Sequence, residues 1–253
     1  MPIRIACNTL QQITRLALAV RKDGECRLDI TSDTIRLRAR SEDHVAYLDY
    51  SLPISTPEFS VAGVSGDYWL RFAHVEKFLN ASPDAEVTIR TPAETPDSTF
   101  TLQSTGLTYR RTPITKYTAH RVFDSISAES RTTFSLQNSV LTRAVDAANL
   151  LGTSLRVRFN HETHHVAFSA EGNAINDAFA YTQPVEQIYS TEPSSSELTI
   201  TIDRLREIAS LVPATNTVSL EVTPHHLTYR VEHPISGANL TVYIAEYLGA
   251  IRE

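Results

Sequence analysis

Lysine is scarce in this 253-residue chain: of its 23 basic residues only Lys22, Lys77 and Lys116 are lysines. The arginine bias points to a high-GC or salt-adapted source and carries nothing about mechanism. Cysteine is scarcer still. Cys7 and Cys26 fall in strand-like segments facing a core, which reads as two reduced, buried thiols in a cytosolic protein and not as a disulfide framework. Positive charge is in deficit. A net charge of −6 argues against a surface coated for phosphate binding, although it leaves room for a local basic face. Long apolar runs are missing too: no stretch approaches the ~18 residues of a membrane span. The opening MPIRIACNTL has no apolar run after a basic start, so no signal peptide is expected. Walker, G-x-S-x-G and dinucleotide-binding motifs are all lacking, so the usual glycine-built catalytic loops are not in play.

What is present is an ordinary globular composition, 42% hydrophobic and 21% charged, enough to bury a core and to argue against disorder over the whole length. The length fits either one large domain or two of about 120 residues. Hydrophobic periodicity decides for two. A short strand at 2–7 leads to a helix capped by Asn8 or Thr9 and running to about Lys22, with Leu10, Ile13, Leu16, Ala17 and Val20 on one side and Gln11, Arg15 and Lys22 on the other. CRLDIT, TIRLRAR, HVAYLDYSL and YWLRF then alternate as strands. A second helix near Ala73–Ala81 follows, and EVTIRT, STFTLQ and LTYRRTPI close the half.

The second half repeats that order. TTFSLQ is a strand, and Asn138 or Ser139 caps a helix that runs to Leu151 and ends at Gly152. LRVRFN, HHVAFSA and INDAFAYTQ are strands, TEPSSS is a loop, and LTITI enters a helix over Asp203–Val212 ended by Pro213. TVSLEV, HLTYRV and ANLTVYIA finish the chain. The helix starts at Asn8 and Asn138 are 130 residues apart, as are VEKFL and LREIA. The tetrapeptide LTYR recurs at 107–110 and 227–230, but that spacing of 120 is out of register. STFTLQ therefore corresponds to HLTYRV, and LTYRRT to LTVYIA. With two helices per half, the helices cover one face only. The predicted class is α+β, with two tandem similar domains at 1–114 and 131–253 joined by a connector at 115–130 that carries a short apolar cluster, Val122, Phe123 and Ile126.

HETHH at 161–165 matches the zinc-peptidase pattern H-E-x-x-H in letters. That chemistry needs a helix, so that both histidines face one metal with the glutamate over its bound water. The flanks LRVRFN and VAFSA are strand-like, which makes the segment a hairpin turn. A metallopeptidase stays open as an alternative, and the metal content of the purified protein tests it.

Taken together, CRLDITSDTIRLRARSEDHVAYLDYSL at 26–52, SVLTRAVDAANLLGTSLRVRFNHETHHVAFSAEG at 139–172 and LTVYIA at 240–245 give the chain a likeness that spans essentially its whole length. It resembles the archaeal–eukaryotic sliding clamp, the proliferating cell nuclear antigen (PCNA) family. The resemblance implies a DNA-clamp fold with helices on one face of antiparallel sheets. It implies a head-to-tail homotrimeric ring around duplex DNA that acts as a processivity factor and has no catalytic residues, cofactor or metal. Its implied partners are DNA polymerase, a clamp loader and other proteins carrying short clamp-binding peptides. Its implied place is the nucleus of a eukaryote, or the nucleoid-associated cytoplasm for an archaeal or viral protein. A heteromeric or monomeric clamp-like subunit is the alternative within the same fold.

By the same resemblance, the edge strand at about Leu107–Ile114 of one subunit pairs with Ile175–Gln183 of the next, and the helices face the DNA. The implied DNA-facing set is Arg15, Arg21, Lys22, Lys77, Arg143, Arg204 and Arg206. Acids offset several of them: Glu76 adjoins Lys77, Asp146 stands on the face of Arg143 where the family usually places a cation, and Asp203 and Glu207 flank Arg204 and Arg206. The implied peptide-docking groove lies under the connector and takes in Arg40, His44, Val45, Val122, Phe123, Ile126, His226, Tyr243, Ile244 and Ala245. Two departures bear on its specificity: Arg40 stands where an apolar residue is common, and Glu246 replaces the usual proline.

Overall fold

The computed structural model describes residues 3–31, 33–54, 66–91, 99–112, 131–172, 177–190, 196–232 and 237–247, with the backbone alone at 186–190. The connector, with Val122, Phe123 and Ile126, lies outside the described residues, as does most of the loop at TEPSSS. Two units partition the chain: 1–124 with 233–240, and 125–232 with 241–253.

In the first unit the order is β1 (Ile3–Ala6), α1 (Cys7–Val20), β2 (Glu25–Ile30), β3 (Thr34–Arg40), β4 (Ala46–Pro53), β5 (Gly66–Arg71), α2 (Phe72–Ala81), β6 (Glu86–Arg90), β7 (Phe100–Ser104) and β8 (Leu107–Arg111). These strands form not one sheet but two antiparallel arrays. One runs β1-β6-β7-β8 and the other β4-β3-β2-β5. Alternation sets the faces: in β3, Ile35, Leu37 and Ala39 are buried while Arg36, Arg38 and Arg40 turn outward. Tyr68 of β5 lies against Phe100 of β7 with ring centroids 5.1 Å apart, so the two arrays share one core. The apolar side of α1, with Leu10, Ile13, Leu16, Ala17 and Val20 all buried, packs on β1, β3, β4 and α2. Burying each of its large side chains contributes about 1.5–3 kcal/mol.

The second unit contains β9 (Thr132–Gln137), α3 (Asn138–Leu151), β10 (Ser154–Asn160), β11 (His165–Glu171), β12 (Ala178–Pro184), β13 (Glu186–Ser190), β14 (Ser196–Thr201), α4 (Ile202–Ser210), β15 (Thr217–Val222), β16 (His226–Glu232) and β17 (Asn239–Ala245). Its arrays run β13-β9-β15-β16-β17 and β12-β11-β10-β14. Apart from β13, these match the arrays of the first unit position for position. The duplication is therefore structural, and it places HLTYRV in β16, the counterpart of β7, and the first LTYR in β8, the counterpart of β17. The repeated tetrapeptide sits in non-equivalent strands, as the 130-residue register requires. Phe134 stacks on Phe159 with centroids 5.4 Å apart, closing the second core as Tyr68 and Phe100 close the first.

Two local expectations fail for the same reason. None of the four helices has a side-chain N-cap, and α1, α2 and α4 start one residue before the expected cap or first residue. Each helix follows its strand directly. Orphan N–H groups of the first turn find carbonyls from elsewhere in the unit: Cys7 donates to Ala85 (2.7 Å), Asn138 to Asn216 (2.8 Å), Ser139 to Ala214 (3.0 Å) and Ile202 to Thr153 (3.0 Å). Tertiary acceptors thus replace caps. At the other end, α4 stops at Ser210, and the N–H groups of Leu211 and Val212 bond three residues back to Ile208 and Ala209. The strand β13, paired to β9 with a register shift between Gln187 and Tyr189, was not anticipated. Its QIYS segment is too short and too interrupted to show a period.

Candidate DNA-facing helices and docking surface

The polar faces of the helices carry most of the candidate cations. Arg15 projects from α1 opposite its apolar stripe and is exposed. Lys77 is exposed on α2 beside Glu76, and Arg143 is exposed on α3. No ion pair engages these three side chains among the described residues. Lys22 is exposed just past the end of α1. Arg21 behaves otherwise. Its guanidinium folds onto the β3–β4 turn, donating from Nη1 to the Arg40 carbonyl at 3.4 Å, with Nη2 3.9 Å from Glu42. It is only half exposed, so α1 presents Arg15 and Lys22 more openly than Arg21.

The helix pair α3–α4 is self-neutralising. Arg206 Nε donates to Asp146 Oδ1 at 3.1 Å, bridging the two helices, and Arg204 lies 3.7 Å from Glu207 one turn on. Sequence spacing offered Asp203 and Glu207 as the acids beside Arg206. The partner across the groove, 60 residues away, has no local signal. Thr142, Val145, Asp146, Arg206, Glu207 and Ser210 line that groove, an open depression of ≈ 340 Å³.

Among the described residues, two terminal strands from different arrays stand out. β8 ends the array β1-β6-β7-β8, and β12 ends β12-β11-β10-β14. Neither strand has a buried residue: Leu107, Tyr109 and Arg111 are half exposed on β8, as are Phe179, Tyr181 and Gln183 on β12. An uncovered edge of this kind is a template for another strand. β8 is also held firmly. Arg111 pairs with Glu25, which lies 3.6 Å from Arg71 of β5. Asp84 accepts from Thr105 N (2.5 Å) and Ser104 Oγ (2.7 Å), which pins the β7–β8 turn and holds its carboxyl below the usual range. Sequence reading missed both anchors, because their partners are 20 to 86 residues distant.

Of the candidate docking residues, His44 and Val45 sit in the turn between β3 and β4. His44 is exposed, with a left-handed φ of 62°, and Val45 is half-buried. Arg40 is half-buried at the end of β3. In the second unit β17 alternates, so Tyr243 and Ala245 face outward while Ile244 is fully buried in the core. Ile244 therefore supports the surface from behind. The chain beyond is tied down: Glu246 N donates to the His225 carbonyl and Tyr247 N to the Thr199 carbonyl, both at 2.8 Å.

His226 is buried, 4% exposed, with its ring 6.0 Å from that of Tyr243 and Nδ1 2.9 Å from Thr223 Oγ1. Burial pushes its pKa below the ordinary 6.5, with His225 and Arg230 adding to the effect and Glu221 opposing it. The unfolded chain protonates first as pH falls. The neutral ring's contribution is full above the unfolded value of 6.5 and is lost as pH drops toward the folded value. Denaturation of the wild type and of His226→Phe at a series of pH values should show the wild type losing stability relative to the variant on acidification. Parallel curves would contradict this.

HETHH is the hairpin turn between β10 and β11, not a helix. Asn160 Oδ1 caps it by accepting from Glu162 N (2.9 Å) and Thr163 N (3.1 Å), His161 packs edge-on against Phe159, and His164 takes a φ of 52°. The backbone denies His161 and His165 the one-face placement the zinc-peptidase pattern needs.

No family model matches the chain, and no curated protein sequence matches it. Solved structures do. PCNA of A. fulgidus, in a structure with the C-terminal region of FEN-1 bound, is similar with a TM-score of 0.79 at 14% identity, covering 99% of this chain and 100% of that one. PCNA of Thermococcus kodakaraensis gives a TM-score of 0.76 at 14% identity over 97% of this chain and all of the other. The PCNA2–PCNA3 complex of Sulfolobus tokodaii gives 0.73 at 15% identity over 97% and 99%. The chain has the two-domain fold of PCNA-type sliding clamps.

Proposed function

We propose that this protein is a non-enzymatic DNA sliding clamp, a closed homotrimer that encircles duplex DNA and tethers a polymerase and other DNA-handling proteins. The observation that carries the reading is the whole-chain clamp fold, supported by two unlike terminal strands on one polypeptide. Pairing β8 of one chain with β12 of the next uses a different edge on each side, so each added copy leaves a free edge until the rotation closes a ring. One chain carries both edges, so a second kind of subunit is not needed.

A ring holds DNA by topology and needs no tight contact, which suits helices whose positive charge is sparse. Arg15, Lys22, Lys77 and Arg143 supply sequence-independent phosphate attraction that weakens with salt. The outward side of β17, which bears Tyr243 and Ala245, is assigned to short partner peptides.

Retention on DNA of different topology tests the reading. Protein placed on nicked circular DNA should survive a high-salt wash and be released when the circle is linearised; equal retention on both forms would contradict encirclement. The charge reversal Arg15→Glu with Lys22→Glu should reduce polymerase stimulation several-fold while the trimer persists. Unchanged stimulation across a salt titration would remove these residues from the DNA-facing set.

A further inference from the structure

Arg206 is the most exposed cation on α4, yet it is not available as a free charge. Its Nε donates to Asp146 of α3 at 3.1 Å, with 52% and 62% of the two side chains exposed. Asp146 stands three residues after Arg143 on α3, a spacing at which helical ion pairs form. It nevertheless pairs across the groove, and Arg143 is left without an acidic partner among the described residues.

We propose that the Asp146–Arg206 pair attenuates the grip of the second unit on DNA, withholding Arg206 from phosphate so that Arg15, Lys77 and Arg143 do most of the holding. The inference rests on the clamp reading and deepens it. Only Nε of Arg206 is engaged, but a phosphate that approaches its Nη groups also meets the negative charge of Asp146, which offsets the attraction. The pair carries no net charge, so bringing it to DNA displaces no counterion. Its energetic weight in folding is small because both groups stay in water. Such a pair is costless to keep and effective as a brake. A ring that relies on topology benefits from a weak wall, since each strong phosphate contact resists sliding.

The test is equilibrium binding of a short fluorescent duplex to the intact protein across a salt series, with thermal melting as a control on folding. Asp146→Asn should raise affinity about threefold or more at low salt and steepen the dependence of log K on log salt, by up to about 0.9 per cation freed. In an Arg206→Gln background the same substitution should gain much less. If the gain is equal in both backgrounds, Asp146 acts through its own charge and the pairing is overturned. If Asp146→Asn changes nothing while Arg15→Gln weakens binding, the attenuation fails and the clamp reading stands. If neither variant changes binding, the DNA-facing assignment of these helices fails with it.

Discussion

Thr108→Pro is expected to convert the assembled protein into single chains of 28.2 kDa and to abolish its stimulation of DNA synthesis. The argument starts from the β7–β8 hairpin, in which Ser104 faces Leu107 across a two-residue turn. In an antiparallel ladder, pairs that exchange hydrogen bonds alternate with pairs that do not. The closing pair Ser104–Leu107 is bonded, and so are Leu102–Tyr109 and Phe100–Arg111. Thr108 and Arg110 consequently turn their N–H groups to the open edge. Proline at 108 deletes an edge donor and puts a ring where a neighbouring strand would lie, while the bonds within the hairpin survive. Sedimentation should show monomers and circular dichroism an intact fold. A trimer of undiminished mass would show that β8 is not the joining strand.

The second large effect concerns stability. Asn138 is fully buried at the start of α3. Its Nδ2 donates to the carbonyls of Ala209 and Val212, both at 2.9 Å, and its Oδ1 accepts from the Tyr229 hydroxyl at 3.2 Å. One side chain thereby joins α3 to the end of α4 and to β16. Asn138→Ala strands the Val212 carbonyl and the Tyr229 hydroxyl and leaves the Ala209 carbonyl with only its bond from Val212 N, at about 1–3 kcal/mol for each group that water cannot reach. A loss of roughly 3–5 kcal/mol in urea unfolding is expected, against about 1 kcal/mol for Tyr229→Phe, which leaves one acceptor unmet. Near-equal losses for the two variants would show that the helix-end carbonyls find other partners.

The contrast between Asn138 as read and Asn138 as found shows where the sequence stops being informative. Strand alternation such as LRVRFN and the apolar stripe of α1 are local signals backed by burial, and the elements appear where the periodicity puts them. The duplication was legible because the 130-residue register is repeated by whole elements. Polar side chains gave no such guide. A buried asparagine beside a helix start looks the same as a cap, and only the approach of α4 and β16 assigns its three bonds. The same holds for Asp146 with Arg206 and for Glu25 with Arg111, whose partners come from packing. Ile244 shows a finer limit: LTVYIA was correctly placed as a strand, but three consecutive residues cannot all face one groove, and the pleat turns the middle one inward.

Whether three copies close on themselves is decided most directly by the mass of the protein in dilute solution. Sedimentation equilibrium over a range of protein and salt concentrations should return three times 28.2 kDa, with salt varied because acidic chains repel one another at low ionic strength. A mass of 28.2 kDa at every concentration, or one that keeps growing with concentration as an open filament would, contradicts the ring.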